Sequence, residues 1–166
     1  MKETLLILGA GQYGAVAKEI ALSTGLFEKI DFLDDKSENA MDRIGNYPKY
    51  VQAYPNALVA IGNAEVRLPL IEKLEVARFR VITLVSPNAY VSPSARLSQG
   101  TIVEPMAVIN PNAFVETGTI VCAGAIVNHN ATIGAGCLLQ CGSIVAAGAV
   151  LDPKTTLGYG VLFDHR

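Results

Sequence analysis

From residue 85 onward the chain keeps a strict period of six. The first residue of each six is aliphatic from Val85, Val91 and Leu97 through Ile109, Val127 and Leu139 to Leu157, and Phe163 closes the series. The fifth residue is small almost throughout, as at Ala95, Ala107, Ala113, Ala125, Ala131 and Cys137. The fourth favours Gly or Asn, as at Gly100, Asn112, Gly118, Gly124, Asn130 and Gly136. Few folds satisfy all three columns at once. An aliphatic residue every sixth position points into a core, Gly and Asn take left-handed turn conformations at least cost, and a small residue lets the chain bend inward at a corner.

Three sixes close a triangular coil of about 18 residues, and coils stack at the strand-pairing spacing of about 4.8 Å. The pattern therefore predicts a parallel β-helix of hexapeptide type over residues 85–166, about four and a half coils. The last coil would leave a strand edge unpaired, and such an edge needs a cover. That edge, and a flat face carrying Ala, Val and Cys, predict self-association.

Residues 1–84 follow a different rule. An aliphatic run at 4–8 ends in Gly9-Ala10-Gly11-Gln12-Tyr13-Gly14. An amphipathic stretch then runs to about Thr24 and is closed by Gly25, as a helix would be. Residues 29–33 read as a second strand ending in Asp34-Asp35, and 36–56 as a polar, turn-rich segment. Residues 57–61 read as a third strand ending before Gly62-Asn63. Asn63 can cap the next helix, to about Ala77, and Pro69 is expected to kink that helix or delay its start. Residues 78–85 read as a fourth short strand. The order β-α-β, β-α-β predicts a small Rossmann-like α/β domain with a parallel sheet. The boundary falls near Leu84, giving domains 1–84 and 85–166.

Gly9-x-Gly11-x-x-Gly14 lies between a strand and a helix, the context in which this motif cradles a phosphate. Asp34, at the end of the next strand, is placed to accept bonds from ribose hydroxyls, and Asp35 to meet a base or face solvent. Gln12 and Tyr13 lie in the loop itself. Gly62-Asn63 ends a strand on the same edge of the sheet, and Arg67 is either a phosphate ligand or a solvated surface residue. Three readings stay open: a mononucleotide or nucleotide-sugar, which suits the length; NAD, which would need a second mononucleotide half; or a glycine turn that only packs helix on strand.

A formal net charge of −2 and the lack of a basic run argue against nucleic-acid binding. The apolar run at 5–10 is too short to span a membrane and has no flanks of a signal peptide. Cys122, Cys137 and Cys141 do not form a metal-spaced set, so no metal is expected, and the odd count suggests reduced thiols in the cytoplasm.

His129 is the third residue of Val127-Asn128-His129-Asn130-Ala131-Thr132, a surface or corner position where an imidazole can exchange a proton near neutral pH. By itself such a residue is also an ordinary exposed turn histidine. With this segment, residues 6–14, 32–35 and 60–67, Val85-Ser86-Pro87 and the coils, the chain resembles the sialic-acid O-acetyltransferase and UDP-4-amino-sugar N-acetyltransferase family (NeuD/PglD-like hexapeptide-repeat acyltransferases) over nearly its whole length. The resemblance implies a left-handed β-helix. It implies a homotrimer with sites between neighbouring β-helices, and a UDP-sugar-like substrate. It implies acetyl-CoA as co-substrate, with His129 as general base. Asn130 stands beside it where the family usually carries a carboxylate. Residues 130–166 make about two coils, fewer than in the family, which implies a shortened CoA groove. Two functions follow as expectations: acetyl transfer to a nucleotide-linked amino sugar or a sugar hydroxyl, or nucleotide-sugar binding and assembly without catalysis.

Overall fold

The computed structural model describes residues 3–165, and the chain divides into two compact units between Ile82 and Thr83. The fold class is the expected one, a small parallel α/β domain followed by a left-handed parallel β-helix.

In the N-terminal unit four parallel strands stand in the order β2-β1-β3-β4. They are β1 (Glu3–Leu8), β2 (Phe27–Leu33), β3 (Asn56–Val59) and β4 (Arg80–Val81). The central strand β1 is buried from Leu5 to Leu8, as a strand covered on both faces must be. Helix α1 (Gln12–Thr24) lays Ala17, Ile20 and Ala21 inward and ends on Gly25 in the left-handed conformation at φ 68°. Helix α2 (Ala64–Val76) begins at its Asn63 cap, whose side chain accepts a hydrogen bond from the Glu65 N–H at 2.9 Å. Pro69 does not delay it, because the helix runs through from Ala64. The missing proline N–H costs one bond in the second turn, which packing of Ile71 and Leu74 in the core outweighs. The polar segment holds a 3₁₀ turn, Ile44–Tyr50, around Pro48. The expected fourth strand is in fact two. β4 closes the first sheet, while Thr83 turns away and donates to the Ser98 carbonyl at 2.9 Å, so β5 (Leu84–Val85) opens the first coil.

The C-terminal unit is built of two-residue strands, β5 to β18, the last being Leu162–Phe163. Strand pairs are parallel and offset by one coil, as in Val115↔Ile133, Val121↔Leu139 and Val127↔Val145. Three sheets result, of four, five and five strands. The aliphatic column fills the core: Val103, Ile109, Val115, Val121, Val127, Ile133, Leu139 and Val145 are all fully buried. Every sixth residue from Gly100 to Gly160 takes positive φ, including Met106 at 63° and Lys154 at 61°. The coil thus imposes the turn even on side chains that resist it.

A second set of bonds ties the coils outside the strand ladders. Glu104 Oε2 accepts from the Ala123 N–H at 2.9 Å, and Glu116 Oε2 accepts from the Ala135 N–H at 3.0 Å. Each carboxylate satisfies a corner amide of the next coil that no strand pairing reaches. Among the described residues, no helix is long and apolar enough to cross a membrane.

Candidate functional site

The glycine loop joins β1 to α1, and its three glycines answer to different constraints. Gly9 holds φ at 102°, and a Cβ there would lie 2.7 Å from the Ile61 side chain and 2.8 Å from the Ala60 carbonyl. At Gly14 a Cβ would lie 2.1 Å from the Gly9 carbonyl oxygen. Both are needed to fold the loop. Gly11 is different: its φ is −80°, open to any residue, and a Cβ there would meet nothing within 4 Å. No contact among the described residues demands glycine at that position.

Gly11 faces a cleft of about 400 Å³ lined also by Gly9, Gln12, Tyr13, Asp34, Asp35 and Gly62. Seven of the ten residues expected to bind substrate therefore line one cavity. Tyr13 lies against Gly62, where a Cβ would come within 2.8 Å of the ring. The other three do not line it. Gly14 packs under Gly9, and Asn63 caps α2. Arg67 corrects one of its two readings, because it is not a solvated surface residue. It is fully buried, and its Nη1 donates to the carbonyls of Ile61 at 2.5 Å and Gly62 at 2.8 Å. The guanidinium satisfies carbonyls at the end of β3 that continue into no sheet.

Asp34 also plays a part that spacing did not foretell. Its Oδ2 accepts from the Ala10 N–H at 2.8 Å, and its Oδ1 from the N–H groups of Lys36 at 2.8 Å and Ser37 at 2.9 Å. These amides, Ala10 first, hold its carboxyl below the usual aspartate range. Asp34 thus anchors the glycine loop to the end of β2. The exposed Asp35 accepts from the Ile44 N–H at 3.1 Å and borders the cleft. Among the described lining residues the cation is Lys36, which sequence reading passed over. Its signal was its place two residues past the strand-end aspartate. A larger cavity of about 460 Å³, beside Ala10, Lys18 and Phe32, contains none of the other expected residues.

In the β-helix, His129 and Asn130 are both exposed at one corner. Asn130 takes φ of 60°, and its Nδ2 lies 3.1 Å from His129 Nδ1. Asn128 is engaged elsewhere: it accepts from Asn110 Nδ2 at 3.3 Å and donates to the Val145 carbonyl at 3.2 Å. Asn130 is therefore the neighbour that orients the ring. His165, two coils on in the same column, stacks edge-to-face on Phe163 at 5.2 Å between ring centroids.

A cleft at the strand ends of a small α/β domain, in one chain with a hexapeptide β-helix, defines a class of two-domain hexapeptide-repeat proteins. Residues 4–74 match the family model of the PglD N-terminal domain. The UDP-N-acetylbacillosamine N-acetyltransferase of Bacillus subtilis is 32% identical over 110 residues, 61% of this chain and 51% of that protein. The matched region is thus about half the length of this curated relative. Among solved structures, PerB from Caulobacter crescentus, in complex with CoA and GDP-perosamine, superposes with a TM-score of 0.85 at 24% identity, covering 98% of this chain and 89% of that one. The acetyltransferase domain of PglB from Neisseria gonorrhoeae gives 0.73 at 23% identity, covering 99% and 92%. These two show the shared fold. With the N-terminal match they make the chain similar to NeuD/PglD-like proteins, in sequence over its N-terminal unit and in fold over nearly its whole length.

Proposed function

We propose that this protein transfers an acetyl group from acetyl-CoA to the amine of a nucleotide-linked amino sugar, a UDP-sugar-like substrate, with His129 as general base. The observation that carries the nucleotide half is Gly11, a glycine that the fold does not require, held open over the cleft. A diphosphate can approach that bare backbone at the N-terminus of α1. Lys36 is the cation among the described lining residues, and the exposed Asp35 keeps its Oδ2 for a ribose or base. The relative from Bacillus subtilis is named for acetyl transfer to such a sugar, and PerB was solved with CoA and a nucleotide-sugar. A hydroxyl acceptor fits the same base chemistry.

In the reaction the amine lone pair attacks the thioester carbonyl, and a C–N bond forms. The nitrogen's proton passes to His129 Nε2. The C–S bond then breaks, and the CoA thiolate takes the proton back from the imidazolium. For Nε2 to act as base, Nδ1 must carry the other proton and donate it. That requires Asn130 to turn its Oδ1, rather than Nδ2, toward the ring. The two amide orientations have the same shape, and the hydrogen-bond network selects between them.

The proposed assembly is a homotrimer, its sites shared between neighbouring β-helices, in the cytoplasm. The exposed apolar side chains of Met106, Tyr159 and Leu162 support self-association. His129→Ala is expected to lower turnover by about 10²–10⁴-fold while calorimetry shows unchanged binding of a uridine diphosphate sugar. Full turnover in this variant would remove His129 from the mechanism. Absence of acetyl-CoA binding alongside clear nucleotide-sugar binding would favour the other expectation, a binding or assembly protein without catalysis.

A further inference from the structure

Three successive coils bring together two thiols and a carboxylate, far apart in sequence and outside the sites above. Glu104, Cys122 and Cys141 follow β8 (Ile102–Val103), β11 (Ile120–Val121) and β14 (Leu138–Leu139), neighbouring strands of one sheet. Glu104 and Cys122 hold equivalent places one coil apart, and Cys141 stands one residue further along the next coil. One carboxylate oxygen and the two sulfurs all lie within 4.8 Å of one another.

The coil ladder fixes this arrangement. The Glu104 N–H donates to the Val121 carbonyl and the Cys122 N–H to the Leu139 carbonyl, each at 2.9 Å. Glu104 Oε2 is held by the Ala123 N–H, so the carboxylate does not swing freely. Glu104 is only 7% exposed, and among the described residues no cation pairs with it. A buried carboxylate without a counter-charge is costly. Cys122 is buried, while Cys141 is exposed and opens the cluster to solvent.

We propose that Glu104, Cys122 and Cys141 bind a thiophilic divalent cation of the Zn²⁺ class, with a solvent molecule completing a tetrahedron on the Cys141 side. Two sulfurs and one oxygen suit Zn²⁺, and thiols disfavour Mg²⁺ or Ca²⁺. A cation engages all three groups and supplies the charge that Glu104 lacks. A Cys122–Cys141 disulfide would leave the carboxylate uncompensated. On binding, each thiol forms a sulfur–metal bond and releases its proton to water, so affinity rises with pH. Burial, with Glu104 beside it, pushes the Cys122 thiol up, so without metal it stays protonated and unreactive. Glu104 and Cys122 lie at the corner after β8 and β11, a different corner of the coil from that of His129, which follows the strand at Ile126–Val127. The effect of the bound cation is to staple three coils together.

The test uses the full-length protein, reduced and stripped of metal. Co²⁺ serves as the spectroscopic probe, and Zn²⁺ is titrated against a chelator of known affinity. The expected result is one cation per chain with a thiolate-to-Co²⁺ charge-transfer band. Zn²⁺ at about a hundredfold above its Kd should raise the melting temperature by roughly 5–10 °C. Cys141→Ser alters an exposed side chain and leaves the fold intact, so it is the decisive variant. It should lose part of the band and weaken binding at least about tenfold. Glu104→Gln should weaken it comparably, and Cys137→Ser, whose thiol donates to the Asp152 carbonyl, should not change it. A Co²⁺ complex without the band, or Zn²⁺ affinity unchanged in Cys141→Ser, would overturn the proposal. So would a Cys122–Cys141 disulfide that forms while Zn²⁺ is present.

Discussion

Two alanine substitutions three residues apart should have opposite effects, and together they test whether the glycine loop is built for a ligand or only for packing. At Gly14 the new Cβ would stand 2.1 Å from the Gly9 carbonyl oxygen, over 1 Å closer than ordinary contact. The obstacle is backbone on both sides, so no rotamer change relieves it. Overpacking of this kind costs about 1–3 kcal/mol, and the helix gains back at most about 1 kcal/mol from replacing glycine. With a rigid obstacle the net loss should be about 2 kcal/mol. In a unit of this size that lowers its melting temperature by about 8–16 °C. At Gly11 the Cβ meets nothing within 4 Å and φ is already −80°. The poorer helix cap and the stiffer unfolded chain nearly cancel, leaving a change within about 1 kcal/mol. Its methyl group would instead stand where a phosphate must approach the backbone, so nucleotide-sugar affinity should fall at least about tenfold, or about 1.4 kcal/mol. Urea titration gives the stabilities, and calorimetry with a uridine diphosphate sugar gives the affinities. If Gly11→Ala binds within twofold of the parent, the cleft does not hold a phosphate at Gly11 and the nucleotide reading fails. If Gly14→Ala is as stable as the parent, the packing argument fails.

Asp34→Ala should destabilise the N-terminal unit in a pH-dependent way. Its carboxyl is held low in the folded chain by amides, so its contribution is complete above the unfolded value of about 3.9 and disappears as pH falls through the lower folded value. The gap in melting temperature between parent and variant should be full at pH 6 and close below about pH 4; a constant gap would show that Asp34 acts through packing alone. Arg67→Met should cost that unit about 2–4 kcal/mol, because the Ile61 and Gly62 carbonyls lose their buried donor. Nucleotide affinity of the fraction that remains folded should not change, and a selective loss of affinity at unchanged stability would restore Arg67 to the phosphate site.

What could be read from the chain was whatever the backbone repeats. The coil period, its core column and its turn column are local rules restated every six residues, and from Val103 to Leu151 Met106 alone departs from them, in the turn column. The glycine loop was legible for the same reason, since a tight turn between strand and helix limits its own residues. Side chains that reach across the fold were not legible. Arg67 sits four residues past a capping asparagine, where a helix surface would normally face water. Its burial depends on where β3 ends, and β3 stops at Val59, two residues earlier than the apolar run suggests. Asp34 sits where a ribose ligand would, but only the path of the glycine loop decides that the Ala10 amide reaches it first. The Glu104 and Glu116 bonds to corner amides follow a rule of one coil plus one residue. That rule becomes visible only once the coil length is known.

Asn130 shows how fold and chemistry can act on a single residue. Its corner demands positive φ, which Gly, Asn and Asp adopt most readily. Of these, only Asn and Asp can touch the imidazole of His129. The position thus admits two residues that differ in one property, charge. Asn130→Asp should keep the coil intact, because both side chains tolerate the turn. The new carboxylate would stabilise the imidazolium that forms as the proton leaves the sugar amine, raise the basicity of His129 and shift the acid limb of the pH–rate profile upward. Asn130→Gly should keep stability within about 1 kcal/mol but leave the ring without an orienting partner, so turnover falls while both substrates still bind. Melting curves, calorimetry and pH–rate profiles on the two variants separate the roles. If Asn130→Asp leaves the pH–rate profile unmoved, His129 does not carry the proton and Asn130 is only a turn.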